Sequence, residues 1–433
     1  MTRDEAEDFV YKSYLKAERF QEYQARDAMK RHPQFSREII QSMQGTPCVV
    51  VTGSKGKGSI SCMISQIMQT EKKVGMMTSP HIGSFRERFR VNGKSIFDVA
   101  FVRHIEKIKG LFDQVESRIP EAECVSPMGI QAALALSYFH EEGTDFNIFE
   151  CGKGAKYDDV NNIVHQYAII NTIFLEHTRE LGATLAEIAE DKANVITGNC
   201  RCVFVAEQKP EPLAVIEKQA AEKKVPLKIY GRDFRSENIR YTNTGMVFDV
   251  IVGTHTYRDM VVPLLGEHQA KNCAMAMAFC EEVLGILSLE EVKEKLKKLS
   301  WPGRMEVLSA EPFLLLDACI NRESCHNVKK VLKELGISKI TAIIGIPDDK
   351  DYLGVVESMQ EVSEHVILTK SQNSHYIFTG LQMDALEKED IKADRTLSIK
   401  QAMQLAREYQ LPTVILGTTS LVSEVKMLIK TQE

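Results

Sequence analysis

The chain has 433 residues, 44% of them hydrophobic and 26% charged, with a formal net charge of −6. That length leaves room for two domains with full cores, and the acidic balance gives no overall basic footprint for nucleic acid. No apolar run approaches the ~18–20 residues that span a bilayer, so the expectation is a cytoplasmic chain with neither a nucleic-acid partner nor a membrane segment.

The first twenty residues, MTRDEAEDFVYKSYLKAERF, are charged and helix-patterned, without an apolar signal core. CVVVT (48–52) reads as a buried strand, and Ile60, Met63, Ile64, Ile67 and Met68 then fall on one face of a helix. FNIFE (146–150), YAIINTIF (167–174) and RCVFVA (201–206) read as further strands separated by amphipathic stretches. This alternation predicts an α/β fold with a parallel, doubly wound sheet. Residues 237–264 are rich in Thr, Val and Tyr with two Gly-containing turn signals, which predicts antiparallel hairpins attached to the main sheet.

HQAKNCAMAMAFCEEVLGI (268–286) and LEEVKEKLKKL (289–299) read as two helices, and SWPGR (300–304) breaks the pattern with Pro, Gly and the only Trp. The domain boundary is placed near 300, giving domains 1–299 and 300–433. Beyond it FLLLD, ITAIIGI, HVILT and TVILG alternate with helical stretches. The ten cysteines sit mostly inside apolar runs without C-x-x-C pairs, the usage of buried reduced thiols in the cytosol. CINRESCH (319–326) gathers two Cys and a His, but no second ligand pair accompanies them as a zinc site requires.

VTGSKGKGSI (51–60) carries the first chemistry. The common P-loop reads G-x-x-x-x-G-K-[ST], yet here Gly58 separates Lys57 from Ser59. N–H groups at a strand-to-helix turn point outward and the helix dipole adds positive potential, so the turn favours an anion. Gly53, Gly56 and Gly58 let the backbone close around phosphate oxygens, Lys57 can reach terminal phosphates, and the Ser59 hydroxyl can bind Mg²⁺. The competing reading is a tight βα turn with solvated lysines.

The loop resembles the V-T-G-x-x-G-K-G-S nucleotide loop of the Mur ligase superfamily. TSPHIGSFRERFRVNGKSI (78–96) is narrower, and resembles the Thr-Ser-Pro-His segment and Arg-x-Arg-x-x-x-Asn-Gly stretch of folylpolyglutamate synthases and dihydrofolate synthases. FECGKGAKYDDVNN (149–162), EHTRELGATLAEIAEDKANVI (176–196), GEHQAKNCAMAMA (266–278), WPGRMEV (301–307), DKD (349–351) and GTTSLVSEV (417–425) follow in the family's order.

The resemblance implies a Mur-ligase-like P-loop domain with a small antiparallel element, then a Rossmann-like α/β C-terminal domain. It implies an ATP-dependent ligase that joins a small-molecule carboxylate to an amino acid through an acyl phosphate, releasing ADP and phosphate. Relatives act as monomers, so a monomer is expected. Carried over by position, Gly53, Gly56, Lys57, Gly58 and Ser59 would hold the phosphates. Ser79 and Glu150, with Ser59, would bind one Mg²⁺, and His177 a second. Lys192 matches the family's carbamylated lysine, and Lys57, His177 and Lys192 would form the catalytic set. Asn272, Arg304 and Asp317 would contact ATP. Singly, Glu150 is a strand-end carboxylate, His177 a loop histidine, Lys192 a solvated lysine and Arg304 a surface cation. The ordered set carries the reading.

Several family positions differ. The family's Asp-Gly-Ala-His-Asn-Pro is DACINRE (317–323) here, with Ile320 in place of His and Arg322 in place of Pro. A Phe-Phe-Glu segment has become Pro127-Met128-Gly129, Lys153, Ala155, Lys156 and Val160 are changed, Lys55 replaces Asn, and Glu176 replaces Asp. Phosphate and metal positions survive while those near the acid are remodelled, which favours a working ligase with an altered acceptor: a ligase of folate and glutamate is the first reading, and a non-folate small acid is a close variant that the changed segments support. The competing reading is a nucleotide-binding regulatory or scaffold subunit, with Ile320 as its best evidence.

Overall fold

The short Val-, Ile- and Phe-rich runs form two mainly parallel sheets in a computed structural model that describes residues 1–20, 32–43, 45–348, 350–373, 377–379 and 381–430. The first sheet contains β1 (Cys48–Thr52), β2 (Val74–Met77), β3 (Phe89–Val91), β4 (Lys94–Ser95), β5 (Phe146–Glu150), β6 (Tyr167–Ile170), β7 (Cys202–Val205) and β8 (Leu227–Ile229). Their order is β4-β3-β2-β5-β1-β6-β7-β8. The strands from β2 to β8 in that order are parallel, and β3 and β4 add an antiparallel edge. β1 is buried at every position, as expected of a strand covered on both faces.

β1 and β5 begin and end where the apolar runs do, whereas β6 is shorter than its run. It stops at Ile170 because Asn171 turns its amide back onto the chain, where its Oδ1 accepts from the Thr172 N–H at 2.9 Å. The helix after β1 spans Lys57–Met68. Its predicted apolar face is wholly buried, with Ile60, Met63, Ile64, Ile67 and Met68 all inaccessible to solvent.

β9 (Phe234–Thr242), β10 (Gly245–Val252) and β11 (His255–Val262) are consecutive, joined by two-residue turns, and form a sheet of their own. The hairpins were expected to extend the main sheet. Instead they are separate from it, and alternate buried and half-buried positions along β10 give the strand one core-facing side.

The remaining strands are β12 (Glu306–Ala310), β13 (Phe313–Asp317), β14 (Ile340–Gly345), β15 (Ser363–Leu368), β16 (Asp394–Arg395) and β17 (Thr413–Gly417). They are ordered β12-β13-β17-β14-β15-β16, parallel except for the β12–β13 hairpin. Two compact units result. One comprises Met1–Ser236, Val250–Thr256 and Lys271–Lys295, and the other Glu237–Asp249, Tyr257–Ala270 and Leu296–Glu433. Among the described residues no helix is long and apolar enough to cross a membrane.

Candidate active site

β1 lies between β5 and β6 and is parallel to both, so the carboxyl ends of these strands are neighbours at the edge where α/β sheets bind ligands. β1 delivers the glycine loop there, β5 delivers Glu150, β6 leads to Asn171, and the turn after β2 delivers Ser79. Gly53 (φ +136) and Gly56 (φ +77) both take left-handed backbone conformations. A Cβ on Gly56 would lie 2.5 Å from the Asn171 amide nitrogen and 3.1 Å from that of Asn272. Glycine is therefore required twice over, by conformation and by space.

Gly56 caps the helix Lys57–Met68 without a side-chain bond, so the first-turn N–H groups keep donor capacity for an anion. Lys57 folds back so that its Nζ donates to the Gly53 carbonyl at 2.9 Å. Lys192 Nζ donates to the same carbonyl at 3.1 Å and pairs with Glu176 Oε1 at 3.0 Å. Two ammonium groups thus meet on one oxygen. Lys192 is 1% exposed, and burial, reinforced by the Lys57 charge, lowers its pKa below the usual lysine range.

Glu150 is buried and accepts from the Ser79 backbone N–H at 3.1 Å. The Ser59 hydroxyl is buried with no hydrogen-bond partner, an expensive state for a polar group unless something completes it. An orphan hydroxyl, a serine and a carboxylate are hard oxygen donors that fit Mg²⁺, which retains several waters and needs few protein ligands. His177 occupies a left-handed conformation (φ +46) at the start of the short helix Thr178–Leu181, a costly backbone choice for a non-glycine residue. Its Nε2 lies 4.0 Å from Glu176 Oε2, and burial lowers its pKa, which favours the neutral ring that can ligate a metal. Among the described residues no ready cluster of three His, Cys, Asp or Glu side chains is positioned around a cation.

A family model for the Mur ligase middle domain matches residues 51–280. The chain belongs to the Mur ligase family. The match covers the glycine loop, Glu150, His177, Lys192 and Asn272 of this chain. Among relatives, a probable bifunctional folylpolyglutamate synthase/dihydropteroate synthase of Haloferax volcanii is 32% identical over 75% of this chain and 38% of its own length. The chain thus spans about two fifths of that relative. The folylpolyglutamate synthase of Lacticaseibacillus casei is 25% identical, covering 87% of this chain and 88% of the relative. A Mycobacterium tuberculosis folylpolyglutamate synthase structure, complexed with ADP and AMPPCP, superposes with TM-score 0.82 at 24% identity over 92% of this chain and 95% of that one. That likeness establishes the fold.

Within this Mur ligase, the first unit gathers Gly53, Gly56, Lys57, Gly58, Ser59, Ser79, Glu150, His177, Lys192 and Asn272. Arg304 and Asp317 belong to the second unit, where Arg304 donates to the Gly303 carbonyl at 3.1 Å and Asp317 accepts from the Met305 N–H at 2.8 Å. Asp349 of the DKD segment lies outside the described residues, while Asp351 caps the helix Tyr352–Gln360. Two site residues escaped the sequence reading. Asn171 donates to Asn272 Oδ1 at 3.1 Å and backs both loop glycines. Glu176 bridges Lys192 and His177, and its signal was the Asp-to-Glu departure from the family. The altered lysines are already engaged: Lys153 pairs with Glu180 at 2.9 Å, Lys156 lies over the Tyr157 ring and Lys55 over Phe174.

Proposed function

We propose that this protein is an ATP-dependent ligase that joins the carboxylate of a folate-type acid to the amino group of glutamate. The observation that carries the reading is the convergence of the glycine loop, Lys57, the orphan Ser59 hydroxyl and Glu150 at the carboxyl ends of β1 and β5. The names of the relatives supply the substrate class. The acid's carboxylate attacks the γ-phosphate, ADP leaves, and the amine displaces phosphate from the resulting acyl phosphate. Negative charge accumulates throughout, so the loop N–H groups and Lys57 act by stabilising it where it develops.

Ser59, Ser79 and Glu150 would hold one Mg²⁺ and His177 a second, and bound Mg²⁺ supplies charge neutralisation at the phosphates. Carbamylation of Lys192 is part of the proposal. Its lowered pKa favours the neutral amine, the form that captures carbon dioxide, and intact mass or electron density will reveal the added carboxylate. Arg304 and Asp317, from a C-terminal domain beginning near residue 300, are proposed as nucleotide contacts, and the chain as a cytoplasmic monomer.

A second reading keeps the ligase but replaces the folate with another small acid. It is favoured by the filled space at Gly129, where a Cβ would lie 2.6 Å from Asp159 Oδ1 and 2.8 Å from Ser36 Cβ, so no larger side chain can line a pocket there. The deciding experiment is ADP release with dihydropteroate, tetrahydrofolate and a panel of non-folate acids, each with a set of amino acids. Release that requires glutamate and either folate supports the first reading. Release only with another acid supports the second. Release needing neither acid nor amine overturns the ligase in favour of a plain ATPase, and no release under any condition overturns it in favour of a regulatory subunit.

A further inference from the structure

Apart from the glycine loop, the second unit holds two thiols in contact. Cys319 lies two residues beyond β13, and Cys325 is the fourth residue of the helix Arg322–Glu334. Their sulfurs are 3.5 Å apart, and each lies 3.6 Å from the Asn321 carbonyl oxygen. Asn321 fixes the intervening turn by capping the helix, its Oδ1 accepting from the Ser324 N–H at 2.9 Å. A disulfide needs sulfurs about 2.05 Å apart, so closure asks for an approach of about 1.5 Å, the scale of a side-chain rotation.

The two thiols are not equivalent. Cys325 sits in the first turn of a helix, where the dipole favours a thiolate. The hydrogen bond from Cys319, aided by Ser358, holds it below the ordinary thiol range despite burial. Cys319, which donates that bond and is buried, is held well above it. One is suited to attack and the other to resolve. Both sulfurs are buried, but Arg322 and Glu323 between them are exposed, and fraying of a first helical turn is enough to admit a small oxidant.

We propose that Cys319 and Cys325 form an oxidisable dithiol, a modification site at which a hydroperoxide closes a reversible disulfide across the turn that follows Asp317. The Cys325 thiolate attacks one peroxide oxygen, the O–O bond breaks, and the departing hydroxide takes up a proton as water, leaving a sulfenic acid. The Cys319 sulfur then displaces the hydroxyl from Cys325 and gives up its proton, forming the S–S bond and a second water. Two thiols and one hydrogen peroxide thus yield a disulfide and two waters, and a thiol reductant reverses the change. The bridge would clamp residues 318–324, next to the carboxylate that holds the Met305 N–H.

The proposal is independent of the ligase reading and is tested on the full chain. Reduced protein is treated with hydrogen peroxide, remaining thiols are alkylated, and the protein is digested with trypsin. Cleavage after Arg322 separates the peptides 305–322 and 323–329, so the disulfide appears as these two peptides joined, lighter than their summed masses by two hydrogens. The expected result is this linked pair, lost on treatment with dithiothreitol, while the other eight cysteines remain alkylated. In Cys319→Ser, whose hydroxyl can still donate to the Cys325 sulfur but cannot form the bridge, Cys325 should stop at a sulfenic acid that dimedone traps, and circular dichroism confirms that this variant is folded. Fully alkylated peptides after peroxide, or irreversible sulfinic acid at Cys325 without the linked pair, would overturn the proposal.

Discussion

Lys57 and Lys192 share the Gly53 carbonyl, yet the consequences of removing each interaction differ. Lys57 is the loop lysine proposed to reach the terminal phosphates, so Lys57→Ala should lower ADP release at least ~100-fold, the scale of losing one transition-state donor. Initial rates at saturating ATP measure this, and a retained rate would remove the loop from the mechanism. Glu176→Gln acts on stability first, because it strips the carboxylate from an ammonium that is 1% exposed. An unpaired buried charge costs up to about 3–5 kcal/mol, though Lys192 can escape part of that by losing its proton. Denaturant unfolding should show a clear fall in midpoint, and an unchanged midpoint would mean the pair contributes little. Lys57, Ser59 and Glu150 were legible because loop order and strand ends are local features. Asn171 was not, since its partner Asn272 lies 101 residues away, nor was Glu176, whose pairing with Lys192 at the end of the helix Leu185–Lys192 depends on how the intervening turn folds back.

The elements around Gly129 carry a pH-sensitive contact. Ser36 from the helix Gln34–Ser42 donates to Asp159, which follows β5, against the first turn of the helix Pro127–Glu141. Burial raises the Asp159 carboxyl to about 6, above its ordinary value, so the fold favours the protonated form. That stabilising term is fully present below about pH 4 and is lost as pH rises through about 6, where a buried carboxylate with one unpartnered oxygen must ionise. The loss is ~1–3 kcal/mol. Asp159→Asn cannot titrate, so its melting temperature relative to the unsubstituted protein should increase between pH 5 and pH 8. A flat difference would place the titration elsewhere. At this scale β1, β5, β6 and β7 of the first sheet were legible from their apolar runs, whereas the short β2, β3, β4 and β8 were not. The separate hairpin sheet was not, because local alternation announces a strand without saying which sheet it joins.

The residues proposed as nucleotide contacts fall in both units, the glycine loop in the first and Arg304 and Asp317 in the second. A ligand that binds only the folded state stabilises it by about 2.7 kcal/mol at a hundred times its Kd. AMPPCP with Mg²⁺ should therefore raise the melting temperature, and Lys57→Ala should cancel the rise. Arg304→Ala is a clean probe of the second unit, because its only hydrogen bond is to its neighbour Gly303 among the described residues. It should shrink the ligand-induced rise without moving the unliganded transition, and a full rise would exclude Arg304 from the nucleotide site. Fold class was legible at this scale from βα alternation, whereas the tie between the Leu265 N–H and the Met305 carbonyl explains why the compact second unit reaches back before residue 300.

The Gly53 carbonyl also serves as a berth. It keeps Lys57 moored against its own backbone, so the side chain is already ordered and half desolvated before any phosphate would meet it. Binding then becomes an exchange of one oxygen for another rather than the capture of a swinging arm, and much of the entropy such a long side chain would lose on binding has been given up during folding. An approaching ligand must outcompete a neutral carbonyl that a second ammonium also claims, a contest that a multiply charged phosphate wins and a neutral molecule loses.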